Sequence, residues 1–149
     1  MPDAIERLPN AGFAQMLNTP RALRGMVTSP HHLASEAGLR VLREGGNAVE
    51  ATLAMAASLP VVYPHMNSLG GDGFWLISAG GKPPVAVDGC GAAARAASVD
   101  FYRSKGLSAI PSRGPLAANT VAGTLSGWAE VLAINSELGG KLPLSRLVE

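Results

Sequence analysis

The amino-acid sequence predicts a mixed α/β (α+β) fold, helices flanking an antiparallel hairpin, and three observations carry that prediction. Apolar residues recur at three- and four-residue spacing in two stretches, 33–44 and 124–138, each followed by a glycine pair. Two short runs rich in aromatic and β-branched residues, 74–78 and 85–88, flank a glycine-bearing turn. The chain has 149 residues, 47% hydrophobic and 15% charged, which suits one folded domain, or a piece of one, and not a disordered segment. Helices, then a hairpin, then helices imply layers packed on an antiparallel sheet.

Each element has its own cause. Residues 1–24 mix Pro9, Asn10, Gly12, Asn18 and Pro20 with isolated apolar side chains, which gives an irregular lead-in. In 33–44, Leu33, Ala34, Ala37, Val41 and Leu42 form one stripe, with Glu36, Arg40 and Arg43 on the other side. Gly45-Gly46 offers the left-handed stop, and the Asn47 side chain can cap a second helix over 48–59. That helix is alanine-rich and apolar on nearly every face, so it is expected inside the protein, with Pro60 as its end. A turn-rich loop follows through Leu69-Gly70-Gly71-Asp72-Gly73, and the hairpin turns at Ala79-Gly80-Gly81-Lys82. Ser98 can cap a short helix over 100–104 that Gly106 ends, ahead of a Pro- and Gly-rich loop at 111–115. The helix over 124–138 is built on Leu125, Trp128, Val131, Leu132 and Leu138, and Pro143 opens a further pattern that stops at Glu149.

Composition excludes several classes of function. Twelve Lys and Arg against eleven Asp and Glu leave a net charge of +1 without a basic run, so no nucleic-acid partner is expected. A single cysteine can form no intrachain disulfide and has no companions for a zinc or iron-sulfur site; no metal and no cofactor are expected. The apolar stretch near 51–62 is interrupted by Thr52, Ser58 and Pro60 and is too short for a bilayer, so no membrane partner is expected. The N-terminus does not read as a secretory signal, which points to a cytoplasmic location.

Residues with chemical potential are few. The Gly70-Gly71-Asp72-Gly73 run lacks the context of a dinucleotide or phosphate loop, and reads as a turn that lets backbone pass close to a site. His31, His32 and His65 lack metal-ligand spacing and suit structural or supporting roles. Cys90, between Gly89 and Gly91, has no base assigned to it by sequence, so packing is favoured over nucleophilic attack. Arg95 and Arg113 either receive a carboxylate or face water.

Several motifs in register resemble the opening of the γ-glutamyltransferase-like family. They are Gly25-Met26-Val27-Thr28-Ser29-Pro30-His31-His32-Leu33-Ala34-Ser35-Glu36-Ala37-Gly38, then Gly45-Gly46-Asn47-Ala48-Val49-Glu50-Ala51. Val61-Val62-Tyr63-Pro64-His65-Met66, Leu69-Gly70-Gly71-Asp72-Gly73-Phe74 and Gly139-Gly140-Lys141-Leu142-Pro143-Leu144 continue the series. The resemblance implies an N-terminal-nucleophile hydrolase with an αββα sandwich, of which residues 25–149 are the N-terminal, incomplete portion of the large subunit. Such a precursor cuts itself before a threonine whose freed amine activates its own hydroxyl for attack on an amide carbonyl. The family's Thr-Thr-His start has no counterpart here, so no catalytic residue is expected in this chain. The reactive threonine would come from a small-subunit partner, completed by the remainder of the large subunit, and the substrate would be a small-molecule amide. The alternative is a non-catalytic fragment or degenerate relative serving as a binding or assembly module.

The resemblance also marks a departure. Where γ-glutamyl-transferring members carry Arg-Glu-x-Ala-Pro after the strand's aspartate, Asp88 here leads to Gly89-Cys90-Gly91-Ala92-Ala93-Ala94, and Cys90 takes the arginine's place. A thiol cannot replace a guanidinium's paired hydrogen bonds to a carboxylate, a loss on the order of a few kcal/mol. The Gly-Ser-Gly-Arg-Ala-Pro variant of the small-acid (oxamate-type) amidohydrolase branch is nearer, but its arginine is Ala92 here, with Arg95 a short turn away. Substrate-binding candidates are therefore Cys90, Ala92, Arg95, Arg113 and His65, on or near loops 64–73 and 88–95.

Overall fold

The computed structural model describes residues 20–149; the remainder of the expected lead-in, residues 1–19, lies outside the described residues. The first helix, α1 (His32–Arg43), starts where the His31 side chain accepts the Leu33 N–H at 3.3 Å, and it stops at Gly45, whose φ is +89°. The second, α2 (Ala48–Val62), opens on the expected Asn47 cap. The Asn47 side chain accepts the Glu50 N–H at 3.0 Å, while the Glu50 carboxylate accepts the Asn47 N–H at 2.7 Å. The two helices lie close because Gly38 has no side chain: a Cβ there would stand 2.7 Å from Met55 Cγ and 3.0 Å from the Ala51 carbonyl.

Pro60 does not end α2, which runs on to Val62. A proline so near the end removes one N–H, the donor that would have met the Ala56 carbonyl, and its half-buried ring contributes to a wall shared with Trp75 and Trp128. The expectation that this helix is wholly interior also changes. Glu50, Ala51, Leu53, Ala54 and Met55 are buried, whereas residues 56–60 are half-buried and Val61 is exposed.

The hairpin pairs β1 (Gly73–Ile77) with β2 (Val85–Gly89) in the register Gly73↔Gly89, Trp75↔Val87, Ile77↔Val85. Alternation places Trp75, Ile77 and Val87 on one face, against α2 and α4 (Thr124–Glu137), and Phe74, Leu76 and Ala86 on the other. Between them, α3 (Val99–Ser104) starts on the expected Ser98 cap and is closed by Gly106 at φ +74°. The last element, α5 (Leu144–Leu147), seats Leu147 against α2; Pro143 precedes it as its cap and does not occupy its first turn. One core joins the layers: Val41, Leu53, Ala54, Ile77, Trp128 and Val131 all belong to it.

A buried carboxylate ties distant motifs together. Glu50, 1% exposed, accepts the N–H groups of Lys141 and Leu142 at 2.6 and 2.7 Å in addition to that of Asn47. The Asn47 side-chain amide in turn donates to Asn135 Oδ1 at 2.7 Å, so the start of α2, the end of α4 and the segment before α5 share one hydrogen-bonded node.

Candidate functional site

The hairpin register creates the site. Because Gly73 lies opposite Gly89, the chain entering β1 and the chain leaving β2 stay side by side, and Asp72 comes to rest against Cys90 and Gly91. Asp72 Oδ1 accepts the Gly91 N–H at 2.9 Å, and Oδ2 stands 3.6 Å from Cys90 Sγ. Asp88 accepts the Cys90 N–H at 2.9 Å, closing a tight turn at the strand's end.

Two further supports hold this turn. Residues 92–94 pair with 119–121: the Val121 N–H meets the Ala92 carbonyl at 2.9 Å and the Ala94 N–H meets the Asn119 carbonyl at 2.8 Å. Thr124, the first residue of α4, donates both its N–H and its hydroxyl to the Gly71 carbonyl, at 2.9 and 2.7 Å. The backbones approach so closely that side chains are excluded. A Cβ on Gly91 would stand 1.5 Å from the Val121 carbonyl oxygen, and one on Gly123 would stand 2.0 Å from that of Gly89. A cleft of about 210 Å³ opens beside the glycine loop, walled by Leu59, Pro60, Trp75 and Trp128 with Asp72 and Thr124 at its polar side.

Of the residues singled out by sequence, Cys90 sits at the junction of the loop and the turn, exposed and in contact with Asp72. The negative charge of Asp72 is the main cause that pushes the Cys90 thiol above its ordinary pKa, with slight desolvation, the Asp72 contact and Asp88 acting in the same direction. A thiol so held stays protonated at neutral pH and is a poor nucleophile. Ala92 is exposed, with its carbonyl committed to Val121. Arg95 is exposed on a turn closed by the Ala97 N–H and the Ala94 carbonyl; Arg113 is exposed beside Gly114. Among the described residues neither arginine forms an ion pair. His65 packs its ring against Tyr63 at 4.2 Å, and His31 stacks on His32 at 4.6 Å, so the imidazoles gather around the entry to α1 and the end of α2 and not around Cys90. No group of three or more His, Cys, Asp or Glu among the described residues is arranged to hold a metal ion.

Asp72 and Thr124 were not among the residues chosen from sequence as candidate site positions. The available signal was a lone carboxylate inside a glycine run, but its partners Cys90 and Gly91 become apparent only once the strands are paired.

Residues 34–149 match the gamma-glutamyltranspeptidase family. The chain belongs to that family. Within the γ-glutamyltranspeptidase family it is 55% identical over 125 residues to the oxamate amidohydrolase proenzyme of Klebsiella pneumoniae, covering 83% of this chain and 23% of that protein. It is 46% identical, with the same coverage of each, to the glutathione hydrolase-like YwrD proenzyme of Bacillus subtilis. The chain thus spans 23% of the length of these two relatives. Among solved structures, the γ-glutamyltranspeptidase of Helicobacter pylori superposes with a TM-score of 0.75 at 33% identity, over 88% of this chain and 37% of that one. Helices packed on an antiparallel hairpin are therefore this family's N-terminal-nucleophile hydrolase fold, in the part that these residues cover.

Proposed function

We propose that this chain supplies the N-terminal portion of a γ-glutamyltranspeptidase-family amidohydrolase, forming substrate-facing walls for a reactive threonine on polypeptide outside it. The observation that carries the reading is the 55% identity to an oxamate amidohydrolase proenzyme, which spans the glycine loop and the turn after β2 as one hydrogen-bonded unit. In this reading the threonine amine takes the hydroxyl proton, the oxygen attacks the amide carbonyl, ammonia or an amine leaves, and water releases the acid. The chain's own groups position the substrate: loop 64–73 and turn 88–95 border it, with Cys90, Ala92 and Arg95 on the turn and His65 on the loop. Arg113 is the remaining cation proposed to meet a substrate carboxylate.

The amide substrate proposed is that of a small acid, since neither Cys90 nor Ala92 offers the guanidinium that a γ-glutamyl α-carboxylate takes. The covering partner proposed is the remainder of the large subunit with a threonine-bearing small subunit. Phe74 and Leu76, 69% and 76% exposed on the outer face of the hairpin, fit that arrangement.

The test is release of ammonia from oxamate, and of anilide from a γ-glutamyl anilide, by this chain alone and by this chain co-expressed with a threonine-bearing partner. Turnover of oxamate only in the combined preparation is expected. Turnover by the isolated chain, or none in either, overturns the reading.

A further inference from the structure

We propose that Asp72 is a positioning residue for the substrate: its carboxylate fixes the main chain at Gly91 and the side chain at Cys90, and so sets the shape of the turn that faces the amide. This rests on the reading above, in which turn 88–95 borders the substrate.

The geometry singles out Asp72 because the other anchors of the turn do not reach its tip. The Gly73↔Gly89 pair ends the sheet, and the next bonds to a neighbouring segment are those of Ala92 and Ala94 with 119–121. Between those anchors lie Cys90 and Gly91. The Cys90 N–H bonds locally to Asp88, which curls the turn without tying it to anything else. The Gly91 N–H and the Cys90 thiol both go to Asp72, one carboxylate oxygen each, at 2.9 and 3.6 Å. Asp72 is itself held, since the carbonyl of its neighbour Gly71 takes two hydrogen bonds from Thr124 at the head of α4. The tether therefore runs from a helix start, through the glycine loop, to the tip of the turn. Gly91 is also crowded by the Val121 carbonyl, which fills the space where a Cβ would go, with Asp72 Oδ1 3.3 Å from the same point.

The two carboxylate oxygens separate two effects. Asp72→Asn keeps an acceptor for the Gly91 N–H and removes the charge beside Cys90; Asp72→Ala removes both. Cys90 is the sole cysteine, so alkylation of the 149-residue chain reads its thiol without ambiguity. Both variants are expected to bring the pH midpoint of alkylation down. Exchange of the Gly91 amide is expected to quicken about fivefold in Asp72→Ala and to stay near wild type in Asp72→Asn. In the threonine-bearing assembly, Asp72→Ala is expected to raise KM for oxamate more than tenfold with kcat changed less than threefold, and Asp72→Asn to recover most of that loss. Unchanged alkylation and exchange in both variants would overturn the tether. A tether seen by these probes with KM unaltered would overturn the positioning role and leave the proposed function standing. Absence of turnover by the wild-type assembly would overturn the functional reading, with the alkylation and exchange results still deciding the tether.

Discussion

Glu50 shows how much one side chain can hold. Its burial alone would raise its pKa, yet the N–H groups of Leu142, Asn47 and Lys141 and the Asn135 side chain together outweigh that and bring the carboxyl below its ordinary value. A carboxyl whose pKa is lowered on folding contributes stability above the unfolded value, about 4.3, and loses it as the pH falls through the folded value. Urea unfolding followed from pH 7 to pH 3 is therefore expected to show a falling midpoint below about pH 4.3. Part of that fall should vanish in Glu50→Gln. Glu50→Ala leaves three part-buried N–H groups, those of Asn47, Lys141 and Leu142, without their acceptor and is expected to cost about 2 kcal/mol at pH 7, read from the same urea curves. The motifs around Asn47 and Lys141 were visible in the sequence as part of a resemblance; that one carboxylate joins them was not, because their meeting depends on how α2, α4 and the segment before α5 pack.

At the scale of elements, helix limits were legible where a local signal sets them. Asn47, Ser98, Gly45 and Gly106 cap or stop helices as their side chains and backbone freedom dictate. Pro60 was misread for the opposite reason: the loss of one hydrogen bond near a helix end is small, and burial against the cleft wall competes with it. The crossing of the turn after β2 with the segment before α4 was also not legible, since it depends on two stretches about 30 residues apart. It makes a sharp prediction. Gly91→Ala is expected to destabilise the chain by more than about 2 kcal/mol, or to push the turn away from Val121, because its Cβ has no room. Gly71→Ala, with nothing within 4 Å of its Cβ, is expected to stay within about 0.5 kcal/mol of wild type. Thermal melts of the two variants side by side check this.

For the molecule as a whole, the described fold packs Trp75, Ile77 and Val87 of one sheet face into the core and leaves Phe74 and Leu76 of the other face open. The isolated chain is accordingly expected to bind a hydrophobic dye or to self-associate at micromolar concentration. The double substitution Phe74→Ser and Leu76→Thr should reduce both without altering the far-ultraviolet circular dichroism, since neither side chain reaches the core. Dye binding unchanged by the double substitution would place the exposed apolar surface elsewhere.

Periodicity, capping residues and glycine stops were enough for the sequence to determine the helices, the hairpin and, through several motifs in register, the family. These are short-range signals, written in residues a few positions apart. What the tertiary structure decided is who meets whom: Asp72 with Gly91 and Cys90, and Glu50 with Lys141 and Leu142. Strand register and helix packing bring those groups together across long stretches of chain, and no local pattern encodes a contact whose two halves are set by different elements.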